Sequence, residues 1–247
     1  MKTLLNLKQC LILLGAIFTM TSCLKSDDPD FQVIGEGYIQ QIVVSEGDDE
    51  NPMVSRFIPI IRAVGYNGTI SACSVTSPDN DRISMTQMTG NQYIWVTNTM
   101  LYSPSSKLSS GTFTISATTL EGESSTFPVS INNTTEMKTK LEGSIDLEDK
   151  NIRATFNKVE GATNYLVVLK QQRSGYADGV LATLASYTTA EMETANWNVT
   201  INEGTYSSRI SGLTKGTYYL SIAAAITSSS ALLLYQESDA VTAFVQE

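Results

Sequence analysis

Apolar and polar residues alternate with a period of two through most of the chain, in short runs broken by turn residues. Residues 31–44, 57–64, 70–75, 93–97, 111–118 and 126–131 read as strands of a first region. Phe113, Ile115 and Ala117 show the alternation most clearly, all on one face. Pro59 within 57–64 suits an edge or a bulge better than the middle of a ladder. Asn67-Gly68 is the strongest short hairpin signal. In a second region, Ile152, Ala154 and Phe156 alternate, as do Tyr218, Leu220, Ile222 and Ala224. Residues 165–169 and 240–245 read as further strands. A polar stretch at 132–140 (N-N-T-T-E-M-K-T-K) reads as a link between the two regions. No helical periodicity runs through the first region. The exception to the β pattern is 181–197, where Thr188 and Glu191 have capping-box spacing and 190–195 can form one or two helical turns. Many short strands at close spacing predict an all-β fold of sandwich type.

The amino terminus does not fit this pattern. Lys2 and Lys8 precede an uninterrupted apolar run at 10–18, and small residues lead up to Cys23. That is the layout of a secretory signal, and the run is too short to stay as a membrane-spanning helix. Met20-Thr21-Ser22-Cys23 resembles a bacterial lipobox in the looser form of Bacteroidetes lipoproteins. Lys25-Ser26-Asp27-Asp28 is similar to the acidic signal that sends such proteins to the outer face of the outer membrane. The resemblance implies removal of residues 1–22, acylation of Cys23, a tether over 23–30, and a location at the cell exterior. A plain cleaved signal followed by a solvated tether is the alternative.

The chain has 247 residues, 42% of them hydrophobic, and a formal net charge of −9. Removal of the two signal lysines makes the remainder more acidic still. An acidic chain with no basic cluster is expected not to bind nucleic acid, or anionic lipid through charge. Membrane contact is then expected through the lipid on Cys23. Histidine is absent, which removes the commonest general base and the usual zinc ligand. Of three cysteines, Cys10 lies in the signal, Cys23 is the acylation candidate, and Cys73 stands alone in an apolar strand. A buried inert thiol is the expectation there.

The second region resembles a fibronectin type III domain. The likeness rests on I-R-A-T-F-N-K-V-E-G-A-T-N-Y-L-V-V-L near its start, G-L-T-K-G-T-Y-Y-L-S-I-A-A-A in the middle and E-S-D-A-V-T-A-F-V at the end. It implies that the Tyr218 hydroxyl bonds back to the upstream backbone as a corner tyrosine. Phe156 departs from the family, standing where a core Trp is usual. G-T-F-T-I-S-A at 111–117 parallels G-T-Y-Y-L-S-I at 216–222, so a repeat of one sandwich plan is one reading; a common β-strand opening is the other. The expected organisation is an immunoglobulin-like β-sandwich at 31–135 and a fibronectin type III-like β-sandwich at 136–247.

Chemistry is sparse. Asp48-Asp49-Glu50, Asp79 with Asp81, and Asp146-Glu148-Asp149 are the acidic groups that a carboxylate hydrolase would need, but all lie in turn-like stretches where acids are ordinarily solvated. No P-loop, dinucleotide fingerprint or zinc spacing is present, Asp79-Asn80-Asp81 lacks the later glycine and glutamate of a calcium loop, and no metal or cofactor is expected. Among aromatics, Trp95 sits in a strand apolar on both faces and reads as core. Tyr102 and Tyr176 are further aromatics. Trp197 and Tyr187 flank the helical insertion and are the ligand-binding candidates, as flat faces for a sugar ring; packing against the sandwich is the competing role. The apolar run 231–235 marks a partner interface if exposed and a strand if buried. The expected function is non-catalytic binding or adhesion at the cell surface, with a polysaccharide as the leading ligand. The alternatives are a structural subunit that binds only a surface protein, and a carboxylate hydrolase.

Overall fold

The computed structural model describes residues 30–46, 53–88, 91–99, 101, 104–171, 180–229 and 231–246. Cys23, the whole signal and tether up to residue 29, the 48–50 acids, Tyr102 and Tyr176 lie outside the described residues. Residues 31–247 form one compact unit, and the fold is predominantly β. No helix among the described residues is long and apolar enough to cross a membrane.

The strands in chain order are β1 (Gln32–Glu46), β2 (Met53–Tyr66), β3 (Ile70–Thr76), β4 (Arg82–Met88), β5 (Asn91–Thr97), β6 (Gly111–Thr119) and β7 (Ser124–Ile131). They continue with β8 (Gly143–Glu148), β9 (Asn151–Phe156), β10 (Asn164–Lys170), β11 (Val180–Thr188), β12 (Asn198–Ile201), β13 (Gly216–Ser228) and β14 (Ala231–Gln246). Two helices, α1 (Thr189–Thr194) and α2 (Glu203–Ile210), flank β12. One sheet runs β11-β10-β13-β14-β1-β2-β5-β4-β3-β6-β7, and a smaller sheet runs β12-β9-β8.

The β1–β2 hairpin is the shared element. Its ladder is antiparallel from Gln32↔Tyr66 to Glu46↔Met53. At the end where β1 begins, β2 pairs with β5 through Arg62, Ala63 and Val64. There the sheet curls through β4, β3 and β6 until β7 lies beside β1, where the Val33 amide donates to Ser125 Oγ at 3.1 Å. Val33, Ile61, Val75, Phe113, Ile115 and Ile131 fill the space between. The curl needs Gly35, because a Cβ there would come 2.2 Å from Ile115 Cδ1 and 2.4 Å from the Arg62 carbonyl. Further along, β1 pairs in parallel with β14 at Ile39↔Leu234 and Gln40↔Tyr235. In that half, Tyr165, Val167, Leu220, Ile222 and Leu234 pack with Ile145, Ile152, Ala154 and Phe156 of the small sheet.

The expected alternations hold: Phe113, Ile115 and Ala117 are buried on one face, as are Ile152, Ala154 and Phe156. Pro59 lies inside a strand paired on both sides elsewhere, but between the Phe57↔Ser105 bridge and the 62–64 ladder it has no registered partner on the β5 side. Its missing N–H therefore costs no ladder bond. The Asn-Gly turn does not make a hairpin. β2 pairs with β1 and β5, whereas β3 pairs with β4 and β6. Asn67 takes the left-handed conformation (φ 60°) and Gly68 does not. Phe31 packs over the corner, where a Cβ on Gly68 would fall 2.9 Å from its Cδ2. The corner redirects the chain around the curl instead of folding it back on itself.

The 132–140 stretch is not a free linker. Met137 and Leu141 are fully buried, and two buried glutamines serve their backbone. The Met137 amide donates to Gln41 Oε1 at 3.0 Å, and Gln41 Nε2 returns a bond to the Met137 carbonyl at 2.8 Å. Gln236 accepts from the Leu141 amide and donates to the Thr139 carbonyl. Each side chain acts as a local substitute for a neighbouring strand.

The corner bond implied for Tyr218 is present: its hydroxyl donates to the Thr214 carbonyl at 2.8 Å. Where the family has a core Trp, Phe156 meets Tyr165 edge-on (5.6 Å between centroids), and Tyr165 meets Trp197 in the same way (5.1 Å). Helix α2 did not show in the sequence, because Gly204, Thr205, Ser207 and Ser208 carry little helical preference. Tertiary contacts hold it: Tyr206 and Ile210 are buried, and the Tyr206 hydroxyl donates to the Lys150 carbonyl at 2.8 Å.

Candidate functional site

The insertion after β11 has both helix ends defined. At its start, Thr188 Oγ1 accepts from the Glu191 amide (3.3 Å), while Glu191 Oε2 accepts from the Thr188 amide (2.8 Å). This is the capping box expected from the sequence. At its end, Ala195 is the cap, and Asn196 and Trp197 both take left-handed backbone (φ 48° and 59°). The Trp197 amide donates to the Met192 carbonyl and the Asn196 amide to the Glu193 carbonyl. Those two bonds form a Schellman closure, and they direct Trp197 back toward the body. Met192 is fully buried and fastens α1 to the core.

Tyr187 and Trp197 therefore stand on either side of one rigid six-residue helix. Both are half-buried and pack against the core. Tyr187 is the cross-strand partner of Tyr165, and Trp197 is edge-on to the same ring, so Tyr165 is their common support. Burial, helped by the Glu191 charge, pushes the Tyr187 hydroxyl above its ordinary pKa, so it stays a neutral hydrogen-bonding group at physiological pH. A shallow, open depression lies on the outer side of α1, lined by Ala190, Glu191, Thr194 and Ala195. The ensemble offers a carboxylate, a threonine hydroxyl and two small apolar side chains, with the edges of two aromatics close by in sequence. Such a surface takes a ligand with both hydroxyl and apolar faces.

The other expected residues stay apart. Asp79 forms an exposed pair with Lys107 (2.8 Å) and accepts from Ser109. The Lys107 hydrogen bond leads the lowering of its pKa. Glu148 pairs with Arg153 at 2.8 Å, and Asp146 and Asp149 are exposed. No cluster of metal-binding side chains occurs among the described residues. Trp95 is half-buried against the core. Cys73 is buried, and desolvation pushes its thiol up to about 12, against an ordinary 9.0. In the 231–235 run, Leu234 and Tyr235 are buried and Leu232 and Leu233 half-buried, so it is strand and not a bare apolar patch.

One arrangement escaped the sequence reading. On the face of the large sheet opposite the Gln41 and Gln236 pins, Lys170 Nζ meets Glu237 Oε1 at 2.7 Å, with side chains only 3% and 9% exposed. The two lie on β10 and β14, and β13 passes between them with small residues at Ser221 and Ala223. Glu237 Oε2, the Tyr235 hydroxyl and the Ser221 hydroxyl are buried without hydrogen-bond partners. Tyr235 is buried beside the carboxylate, and burial first, then that charge, raises its pKa well above the usual value. The available signal was positional: Lys170 ends Y-L-V-V-L-K and Glu237 follows L-L-L-Y-Q, each charge abutting an apolar run.

No family model and no curated protein sequence matches the chain. Among the solved structures similar to the chain, two illustrate the low level of likeness. One is a tetra-tandem repeat from the extending region of a large adhesion protein, at 11% identity and a TM-score of 0.25. The match covers 87% of this chain, which spans about half (50%) of that one. The other is murine CEACAM1b, at 11% identity and a TM-score of 0.20, with 85% of this chain and 98% of that one covered. At such scores neither carries an argument, and fold and site rest on the chain's own geometry.

Proposed function

We propose that this protein is a lipid-anchored binding module of the bacterial cell surface, with an immunoglobulin-like β fold whose second half is of fibronectin type III kind. It hangs from acylated Cys23 and captures a ligand without transforming it. The observation that carries the reading is the doubly capped helix α1, whose surface holds an open depression lined by Ala190, Glu191, Thr194 and Ala195, with Tyr187 and Trp197 flanking the helix in sequence. A surface held this rigidly binds without paying to order itself first. A glycan is the ligand class that suits it, since sugar rings present hydroxyls at the edge and C–H groups on the face. The burial of Leu234 and Tyr235 weakens the competing reading of the 231–235 run as a protein-docking patch.

The test is a polysaccharide-binding screen with residues 31–247. Specific retention that drops about tenfold or more in Tyr187→Phe and Glu191→Gln, both gentle to the fold, supports the site. Trp197→Ala removes more surface but also core packing, so its folding is checked by circular dichroism. Retention unchanged in all three places the ligand elsewhere, and no retention of any glycan moves the function to a protein partner. The anchor is tested separately: Cys23→Ala should leave the membrane fraction, and unchanged partitioning rejects it.

A further inference from the structure

Three exposed apolar side chains lie at the end of the folded body where the chain enters it, with Tyr66 and Tyr93 on opposite faces of the β2–β5 ladder. Tyr66 (48% exposed) ends β2, Tyr93 (55%) lies near the start of β5, and Leu120 (85%) tips the β6–β7 turn. Their common position follows from the ladders. Tyr66 is opposite Gln32, the first residue of β1. Val64↔Ile94 places the start of β5 at that same end. Ile70↔Thr119 brings the β6–β7 turn alongside the 66–69 corner, and a Cβ on Gly68 would lie 3.1 Å from Thr119 Cγ2. The left-handed Gly122 (φ 89°) closes the turn and holds Leu120 at its apex.

The geometry points to the Tyr66–Tyr93–Leu120 pole as a membrane-contact surface, resting on the bilayer that holds Cys23. This inference builds on the acyl-anchor reading above. Seven residues join Cys23 to Asp30, and a chain that long spans at most about 25 Å. The pole is thus the part of the body kept nearest the lipid. Tyrosine suits the headgroup level, with an apolar ring and a polar tip, and a single leucine reaches past it. Glu121 and Glu123 flank the apex, and the chain is acidic overall, so the contact is apolar and favours zwitterionic lipid over anionic lipid.

The same register places the binding surface clear of the membrane. Gln40, Tyr235, Ala225, Asn164 and Thr188 form one cross-strand row over five strands. Thr188 caps α1, so the depression is level with Gln40. That is eight residues along β1 from Gln32, about 26 Å at the usual rise per residue.

The experiment attaches an environment-sensitive thiol dye at Leu120→Cys, or at Asp81→Cys on the opposite end of β3. Cys73 is buried and Cys23 acylated, so the new thiol is the one that reacts. The full lipidated chain is placed on phosphatidylcholine vesicles that carry a lipid-borne quencher. The expected result is a blue shift and at least threefold stronger quenching at 120 than at 81. Equal quenching at both positions overturns the proposal. A second arm replaces residues 1–23 with a hexahistidine tag on nickel-chelating lipid, which is unambiguous because the chain has no histidine of its own. In that arm tethering no longer depends on acylation. A 120-to-81 difference seen there, with the native chain absent from membranes, faults the anchor and not the pole. No difference there faults the pole alone.

Discussion

Two buried polar arrangements occupy opposite faces of the same sheet, and they are satisfied to different degrees. On the core face, Gln41 and Gln236 each give and take bonds with the backbone of the 137–141 segment, and their amides are used on both the nitrogen and the oxygen side. On the opposite face, Lys170 and Glu237 form one short ion pair, while Glu237 Oε2, the Tyr235 hydroxyl and the Ser221 hydroxyl have no hydrogen-bond partner. Neutral amides replaced a missing strand at little desolvation cost. Charges taken out of water need much more in return, because the desolvation of each ion is several kcal/mol. The first arrangement therefore contributes to stability as well as to position, whereas the second mainly fixes how β10, β13 and β14 sit together.

The largest expected effect comes from breaking the second arrangement on one side. Lys170→Met leaves Glu237 buried without its cation and should destabilise by roughly 3–5 kcal/mol in urea denaturation. Lys170→Met with Glu237→Leu should recover most of that loss. A double variant as unstable as the single one would mean that the pair, and not the stranded charge, carries the energy. Next comes Gln236→Leu, which strips partners from the Leu141 amide and the Thr139 carbonyl and should cost about 1–3 kcal/mol; Gln41→Leu should behave alike. If both are neutral, the 137–141 segment is held by Met137 and Leu141 packing alone. Smaller again is Tyr235→Phe, which removes a hydroxyl that bonds nothing and should change stability by less than about 1 kcal/mol.

The last prediction concerns pH. Cys73 has its folded pKa raised from an ordinary 9.0 to about 12. Its contribution is complete below pH 9.0, where the thiol is neutral in both states. It falls as pH rises toward 12, because the unfolded chain ionises first. Wild type should therefore lose stability faster than Cys73→Ala over that interval, and parallel curves for the two proteins would remove the thiol as the cause. The folded protein should also leave a thiol reagent unconsumed at neutral pH until denaturant is added.

Much of this was readable beforehand wherever a local rule decided the outcome. The period-two faces of β6, β9 and β13, the Thr188–Glu191 capping box and the Tyr218 corner bond each depend on residues within about ten positions of one another. What escaped notice depended on partners far apart. The parallel pairing of β1 with β14 joins residues nearly two hundred positions apart, and no turn signals it. Asn67-Gly68 has the chemistry of a hairpin, but Phe31, distant in sequence, occupies the space and makes it a corner. Lys170 and Glu237 look like surface charges until the sheet brings them together. Of the binding candidates, Tyr187 and Trp197 were identifiable as residues flanking an insertion, while the Schellman closure that aims Trp197 at Tyr165 was hidden, since it also needs left-handed backbone at Trp197, which a bulky aromatic does not signal.

The hairpin of β1 and β2 also sets how the molecule bears load. A pull on the segment before Asp30 runs lengthwise along β1, whose antiparallel ladder with β2 reaches from Gln32 to Glu46 and whose parallel partner β14 ends at the far side of the body. The rungs on either side of β1 are then strained together, in shear, and not opened one after another like a zip. A body pulled by this central strand gives way only when many bonds fail at once.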